Sequence, residues 1–360
     1  MNAVRPYRRG RGIARGWSYL WIWDDRQWRL GASMLWLRYL PLIVLLASSG
    51  LFPGVTGAAE RARPIRIGAL SQSWGPTPDL VGLRDGLLEL GYREDEDFVI
   101  GVRFTQGNLA ALPAAAHQLL QHGVDIIYTH NGNTVRAAQQ ATARVPIVFA
   151  NVEDPVGAGL VQSFARPGGN TTGVTSLDLE LGPKRLQIFQ ELIPHLKRVL
   201  FLYDPTDADS VGAAKIYREA ARQLGIVLVE QPVRTEAEAR LSLAAVRQNE
   251  VDGILAPRCC ALDLPGLALE TASQQRIPIM FNSTAFWIEH GALASYGPDA
   301  YASGRQAARL VHKILNGTDP AELPVEVNSN IEFVINLKVA KALGLTIPPE
   351  MLYRADRLIR

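Results

Sequence analysis

The chain has 360 residues, enough for two domains with separate cores. Its 37 basic and 35 acidic residues leave a formal charge of +2, with no excess to grip nucleic acid or an anionic membrane surface. No nucleic-acid partner is expected on that balance.

The local exception is the N-terminus, where Arg5, Arg8, Arg9, Arg11 and Arg15 precede the first acid, Asp24, and are expected to belong to no folded domain. From Met34 the chain has one Arg, an apolar run from Leu40 to Ala47 and small residues ending at Gly57-Ala58-Ala59. This is the layout of a secretory signal peptide, with cleavage expected after Ala59. An uncleaved anchor is the alternative, but the run is short and broken by Pro41 and Ser48 for a span of about 20 residues. Trp17, Trp21, Trp23, Trp28 and Trp36 all lie before Leu37, which no globular core requires, so translation is expected to start at Met34. Residues 1–59 are read as a signal peptide preceded by an extension. No Cys stands at the end of the apolar run, so the mature protein is expected to be soluble and periplasmic, not a lipoprotein. The only cysteines, Cys259 and Cys260, are adjacent and build no disulfide framework; two small buried residues are the expected reading.

Beyond the leader, short β-branched runs alternate with helical patterns, the signature of an α/β protein whose parallel sheet is covered by helices. Strands are expected at Ile65–Leu70, Phe98–Phe104, Asp125–Tyr128 and Ile147–Ala150, with helices at Leu80–Leu90, Ala110–His122 and Thr134–Ala143 between them. The second half repeats the plan. Its strands are expected at Val199–Tyr203, Ile226–Glu230, Gly253–Leu255 and Ile279–Phe281, and its helices at Ala213–Leu224, Ala237–Gln248 and Leu267–Gln275. Val124-Asp125-Ile126-Ile127 is echoed by Val251-Asp252-Gly253-Ile254, and Arg144-Val145-Pro146-Ile147-Val148-Phe149 by Arg276-Ile277-Pro278-Ile279-Met280-Phe281. Echoes in matching order indicate a duplicated unit.

Two similar doubly wound lobes follow. The chain is expected to cross between them at Ala165–Asn170, around Gly291–Pro298 and near Leu323–Ile331, three crossings that make a hinge. Residues 64–170 and 295–322 then form the N-terminal lobe, with the helix Ala300–Leu315 returning to it. Residues 171–294 and 323–360 form the C-terminal lobe.

In open parallel sheets ligands sit beyond the C-terminal strand ends. That rule selects Ser71, Gln72, Ser73 and Trp74 after the first strand, and Thr129 through His130, Asn131, Gly132, Asn133 and Thr134 after the third. After the fourth it selects Asn151, Glu153 and Asp154, and in the second lobe Asp204, Thr206, Arg258, Asn282, Ser283 and Thr284. The segment 129–134 enters a helix, so it can hold a carboxylate at the positive helix end or supply a plain N-cap from Asn131 or Asn133, and both can hold together. Trp74 stacks on a ligand or covers its loop. Asp204 meets a ligand ammonium or starts an Asp-Pro turn. Arg258 serves an anion or is a solvated loop charge.

Enzyme signatures are missing: there is no phosphate-binding G-x-x-x-x-G-K-[ST], no H-E-x-x-H and no G-x-S-x-G. The first strand ends in Ser71-Gln72-Ser73-Trp74-Gly75, not G-x-G-x-x-G, so no nucleotide cofactor is expected. His130 and Glu153 form an acid/base pair in principle, but without a nucleophile or oxyanion arrangement a ligand-contacting or structural His is expected.

Several phrases are read together: Asp154-Pro155-Val156-Gly157-Ala158-Gly159-Leu160-Val161, Ala165-Arg166-Pro167-Gly168-Gly169-Asn170-Thr171-Thr172-Gly173, Lys184-Arg185-Leu186, Ser295-Tyr296-Gly297-Pro298, and the tail from Val334 to Pro349. Between about Pro64 and Asp356 the chain resembles the ABC-transporter substrate-binding proteins of the broad family that includes tryptophan-binding members. The resemblance implies a type I periplasmic binding fold, a small polar or amino-acid-like ligand in the interlobe cleft, no catalysis, and delivery to an ABC permease and its ATPase. Where many relatives carry a Gly-Ser/Thr-Pro-Ala type turn after the third strand, this chain has Asn131-Gly132-Asn133-Thr134. A monomer is expected. The alternative is a sensory module that reports a ligand to a membrane receptor.

Overall fold

The computed structural model describes residues 21–22, 63–73, 75–176, 178–247, 249–256, 264–282 and 285–360. Of the expected leader and extension, all but Trp21 and Ile22 lies outside the described residues. These two form β1 (Trp21–Ile22), which pairs in parallel with Gly101 and Val102 at a sheet edge.

In chain order the first half continues as β2 (Ile65–Ser71), α1 (Pro78–Glu89), β3 (Phe98–Phe104), α2 (Leu112–Gln121), β4 (Ile126–Thr129), α3 (Gly132–Ala141), β5 (Ile147–Val152) and β6 (Thr171–Thr175). The second half runs α4 (Gly182–Leu192), β7 (Arg198–Tyr203), α5 (Ala208–Leu224), β8 (Val227–Pro232), α6 (Glu236–Ala245), β9 (Gly253–Leu255), α7 (Leu264–Gln275), β10 (Ile279–Phe281), α8 (Ala285–Glu289) and β11 (Ala294–Pro298). The chain closes with α9 (Ala300–Leu315), β12 (Glu326–Val327), β13 (Ile331–Asn336), α10 (Leu337–Leu343), α11 (Pro349–Arg354) and β14 (Arg357–Ile359).

Two sheets result, ordered β1-β3-β2-β4-β5-β6-β12 and β14-β13-β11-β10-β9-β7-β8. Within them β3-β2-β4-β5-β6 and β8-β7-β9-β10-β11 have the same doubly wound order, so the duplication is one of topology as well as of phrase. The repeated Asp has the same role in each lobe. Asp125 Oδ2 accepts from the backbone N–H of Arg66 at 2.8 Å, and Asp252 Oδ2 accepts from that of Arg198 at 2.8 Å. Each carboxylate also pairs with an arginine, Arg63 or Arg198. Burial opposes ionisation of both carboxyls, yet these hydrogen bonds hold them below the ordinary aspartate range.

Each sheet is covered on both faces, as near-continuous apolar strands require. In the first lobe one face carries Leu80, Leu83 and Leu87 of α1 with Ala307, Ala308 and Val311 of α9, and the other carries α2 and α3. In the second, α4, α5 and the tail helices cover one face, and α6 and α7 the other. Helices α1 and α9 cross at near backbone contact. A Cβ at Gly304 would lie 1.9 Å from the Asp79 carbonyl oxygen, so only Gly fits.

The crossings are displaced from their expected positions. Ala165–Asn170 stays in the first lobe: Gly168 and Gly169 take φ of 71° and 66°, and Asn170 is tied to Val145 and Ile147, which feeds the chain back into the sheet as β6. The N-terminal lobe therefore extends to Thr175, not to residue 170. The boundary set before residue 295 moves to Asp299, because β11 pairs with β10 and β13. β12, placed by sequence in the second lobe, pairs with β6 of the first, and the last crossing narrows to Asn328–Asn330. Asn328 ties the crossings together: its N–H donates to Thr175 O at 2.8 Å, and its side-chain amide to Asp299 O at 2.8 Å and Ser303 Oγ at 2.7 Å.

Candidate functional site

Strands β2, β4 and β5 are parallel neighbours, so Ser71–Ser73, Thr129–Thr134 and Asn151–Asp154 emerge side by side at one sheet edge. Ser71 and Ser73 form a local knot, with their hydroxyls 2.7 Å apart and Ser73 Oγ donating to Gly75 O at 2.5 Å. Between them Gln72 is fully buried, and neither its Nε2 nor its Oε1 has a hydrogen-bond partner among the described residues. Thr129 at the end of β4 is in the same condition, with a buried Oγ1 that has no partner among the described residues. Leaving such groups unsatisfied costs about 1–3 kcal/mol each, and here two of them stand on adjacent strand ends.

Asn131 resolves one of the sequence alternatives, since it is the N-cap of α3. Its Oδ1 accepts from Thr134 N at 3.0 Å while Thr134 Oγ1 accepts from Asn131 N, a reciprocal capping box. The N–H groups of Gly132 and Asn133 open the helix without intrahelical partners, as helix geometry dictates. His130 is half-buried, its Nε2 3.4 Å from Asn131 Nδ2; burial pushes its imidazole below the ordinary value against the opposing pull of Asp79. Asp79 itself is buried and accepts from the Tyr128 hydroxyl at 2.8 Å. Burial, followed by the Asp79 charge, raises that phenol well above its usual value, so it stays a donor.

Asn151 sits at a bulge of β5 with φ of 57°, a left-handed conformation that Asn tolerates better than most residues. Glu153 is buried, and its carbonyl accepts from Thr175 Oγ1 at 2.9 Å. Asp154 is exposed and builds a turn, accepting from Gly157 N at 2.7 Å. In the second lobe Asp204 is buried, and its Oδ1 accepts from both the N–H and the hydroxyl of Thr206, at 2.8 and 2.7 Å. Asn282 follows β10, half-buried, with Nδ2 donating to Asp178 Oδ2 at 2.9 Å. Trp74, Arg258, Ser283 and Thr284 lie outside the described residues.

A buried network missed by sequence reasoning lies behind Asn282. Arg185 of α4 is 1% exposed and donates to the Asp178 carboxylate, to Tyr217 Oη at 2.5 Å and to Tyr296 O at 2.7 Å. Asp178 lies on the first crossing and Tyr296 on β11, just before the second. Although burial opposes it, the Asp178 and Tyr217 contacts raise the guanidinium further, so it is permanently charged. A Cβ at Gly297 would lie 1.5 Å from Asn282 O, so β11 and the Asn282 loop touch backbone to backbone. The available sequence signal was position: Arg185, Ile188, Phe189 and Leu192 share one helical face, and a basic residue on an apolar face requires a buried partner.

Among the described residues no group of three or more His, Cys, Asp or Glu is placed to hold a metal, and no helix is long and apolar enough to cross a membrane. Two sheets of the same order, joined by three crossings and lined with polar residues at the strand ends, have counterparts among known proteins. The model of the ABC transporter substrate binding protein family matches residues 77–359. The chain belongs to that family. It is 27% identical over 266 residues, 73% of this chain and 76% of the relative, to a tyrosine-binding protein of Clostridioides difficile (strain R20291). The ABC domain in complex with L-Trp from Streptococcus pneumoniae superposes with a TM-score of 0.72 at 27% identity, covering 82% of this chain and all of that one. A conserved domain protein from Vibrio cholerae O1 biovar El Tor superposes at 0.74 with 30% identity and the same coverage. The type I-like periplasmic binding fold and a substrate-binding role follow from membership of this substrate-binding family.

Proposed function

We propose that this substrate-binding protein is the extracytoplasmic receptor of an ABC import system and that its ligand is an aromatic amino acid, tryptophan or tyrosine, held between the lobes without chemical change. The observation that carries the reading is a pair of fully buried polar side chains, Gln72 and Thr129, which have no partner among the described residues and stand on adjacent strand ends beside the N-terminus of α3. Those groups suit an α-carboxylate: a side-chain amide and a hydroxyl stand on adjacent strand ends beside a helix N-terminus, where the dipole favours negative charge. The relatives that bind tyrosine and L-Trp supply the side-chain class. The signal-peptide-like sequence from Met34 to Ala59 supports export, and the family supports a permease and ATPase as partners.

Ligand bound by both lobes favours the closed arrangement, because only there do both sets of strand ends contribute. The missing enzyme motifs agree with capture and release. Mass spectrometry of small molecules released from the purified protein, followed by calorimetric titration with the twenty amino acids, tests the proposal. Release and rebinding of tryptophan or tyrosine is expected; binding of none of the twenty refutes it.

A further inference from the structure

We propose that Asp178 fixes the orientation of the Asn282 side-chain amide, so that the second lobe presents a hydrogen-bond acceptor to the ammonium group of the ligand. The inference rests on the amino-acid reading above and specifies which lobe recognises which end of the ligand.

Asn282 is the first residue beyond β10, at the sheet edge where ligands bind, and next to β11, which leads into the second crossing. A side-chain amide can usually turn over, exchanging donor for acceptor. Here it cannot. Asp178 is 3% exposed, its Oδ1 is held by Arg185, and its Oδ2 lies 2.9 Å from Asn282 Nδ2. A carboxylate only accepts, so turning the amide would set two acceptors against each other at that distance. The backbone is fixed as well: Asn282 O accepts from Arg185 Nη2 at 3.4 Å and faces Gly297 too closely for any side chain there. Asn282 Oδ1, which has no hydrogen-bond partner among the described residues, is what remains for a bound molecule.

An acceptor selects a donor, and the donor of an amino acid at neutral pH is its ammonium. Asp204 at the end of β7 has the same polarity on the same sheet edge. The first lobe offers donors, the helix N–H groups of Gly132 and Asn133 and Gln72 Nε2, beside a Gln72 Oε1 that is likewise without a partner among the described residues. Carboxylate to the first lobe and ammonium to the second makes lobe closure depend on a ligand with both. Asp178 acts through Asn282 and is a positioning residue.

The test compares L-tryptophan with indole-3-propionate, and L-tyrosine with 3-(4-hydroxyphenyl)propionate, pairs that differ by the amine alone. A hydrogen bond to a charged group corresponds to about tenfold to hundredfold in affinity, so the wild-type protein should prefer the amino acids by at least about tenfold. Asn282→Leu should weaken the amino acids toward the des-amino acids while leaving the latter within about twofold of their wild-type affinity. Asn282→Ser gives the same readout should the leucine variant not fold. Asp178→Asn, which lets the amide turn over, should reduce the same ratio. Equal wild-type affinity for both members of a pair, or an unchanged ratio in the Asn282 variants, overturns the inference. Failure of every amino acid to bind refutes the functional reading instead.

Discussion

Replacing Arg185 with Met removes a charge from a site where Asp178 is 4% exposed by side chain. The carboxylate is left buried without its cation, and Tyr217 Oη and Tyr296 O lose their donors. Breaking one partner of a buried pair costs about 3–5 kcal/mol, and the charge-assisted hydrogen bonds to Tyr217 and Tyr296 add about 1.5–3 kcal/mol each where they are independent. Shared geometry makes these contributions less than additive, so a loss of about 4 kcal/mol is expected. Arg185→Lys keeps the charge but has no planar fork to reach Asp178, Tyr217 and Tyr296 together, and should fall between Met and wild type. Urea denaturation followed by circular dichroism and by fluorescence measures the difference. A loss below about 1 kcal/mol for Arg185→Met would show that the network is solvated and refute the reasoning.

Gln72→Met, similar in shape but without the orphaned amide, should stabilise the ligand-free protein by about 1–3 kcal/mol and weaken amino-acid binding, read by thermal melts and titration calorimetry. Unchanged affinity would remove Gln72 from the site. Gly304→Ala forces α9 off α1 and should cost about 1–3 kcal/mol in chemical denaturation, because the obstructing atom is the Asp79 backbone oxygen. Asp125 and Asp252 have carboxyls held below their ordinary values. Their stabilisation is therefore complete above the unfolded carboxyl pKa near ~4 and is lost as pH falls through the lower folded values. Asp125→Asn and Asp252→Asn should melt lower than wild type at pH 7 and converge on it toward pH 2; a constant gap across the range would contradict the linkage.

The strands that the sequence revealed are those whose burial is apolar on both faces, such as Val199–Tyr203. β6 escaped because Thr171-Thr172-Gly173-Val174-Thr175 has the composition of a loop, although every residue in it is buried. Its hydroxyls are satisfied inside, Thr172 by Leu323 O at 2.8 Å and Thr175 by Glu153 O, and Gly173 leaves room for the Phe149 ring. That single omission displaced the first crossing. Candidate site residues could be placed by the strand-end rule, but their hydrogen-bond commitments could not. Asp154 and Asp204 both make local turns, and the fixed amide of Asn282 depends on Asp178, 104 residues earlier in the chain. Partners so distant leave no local signature.

Small-angle scattering with and without saturating L-tryptophan or L-tyrosine tests most directly whether the two lobes close on an aromatic amino acid. A smaller radius of gyration with the amino acid, absent with indole-3-propionate, is predicted. An unchanged radius with the amino acid demonstrably bound would contradict capture by closure.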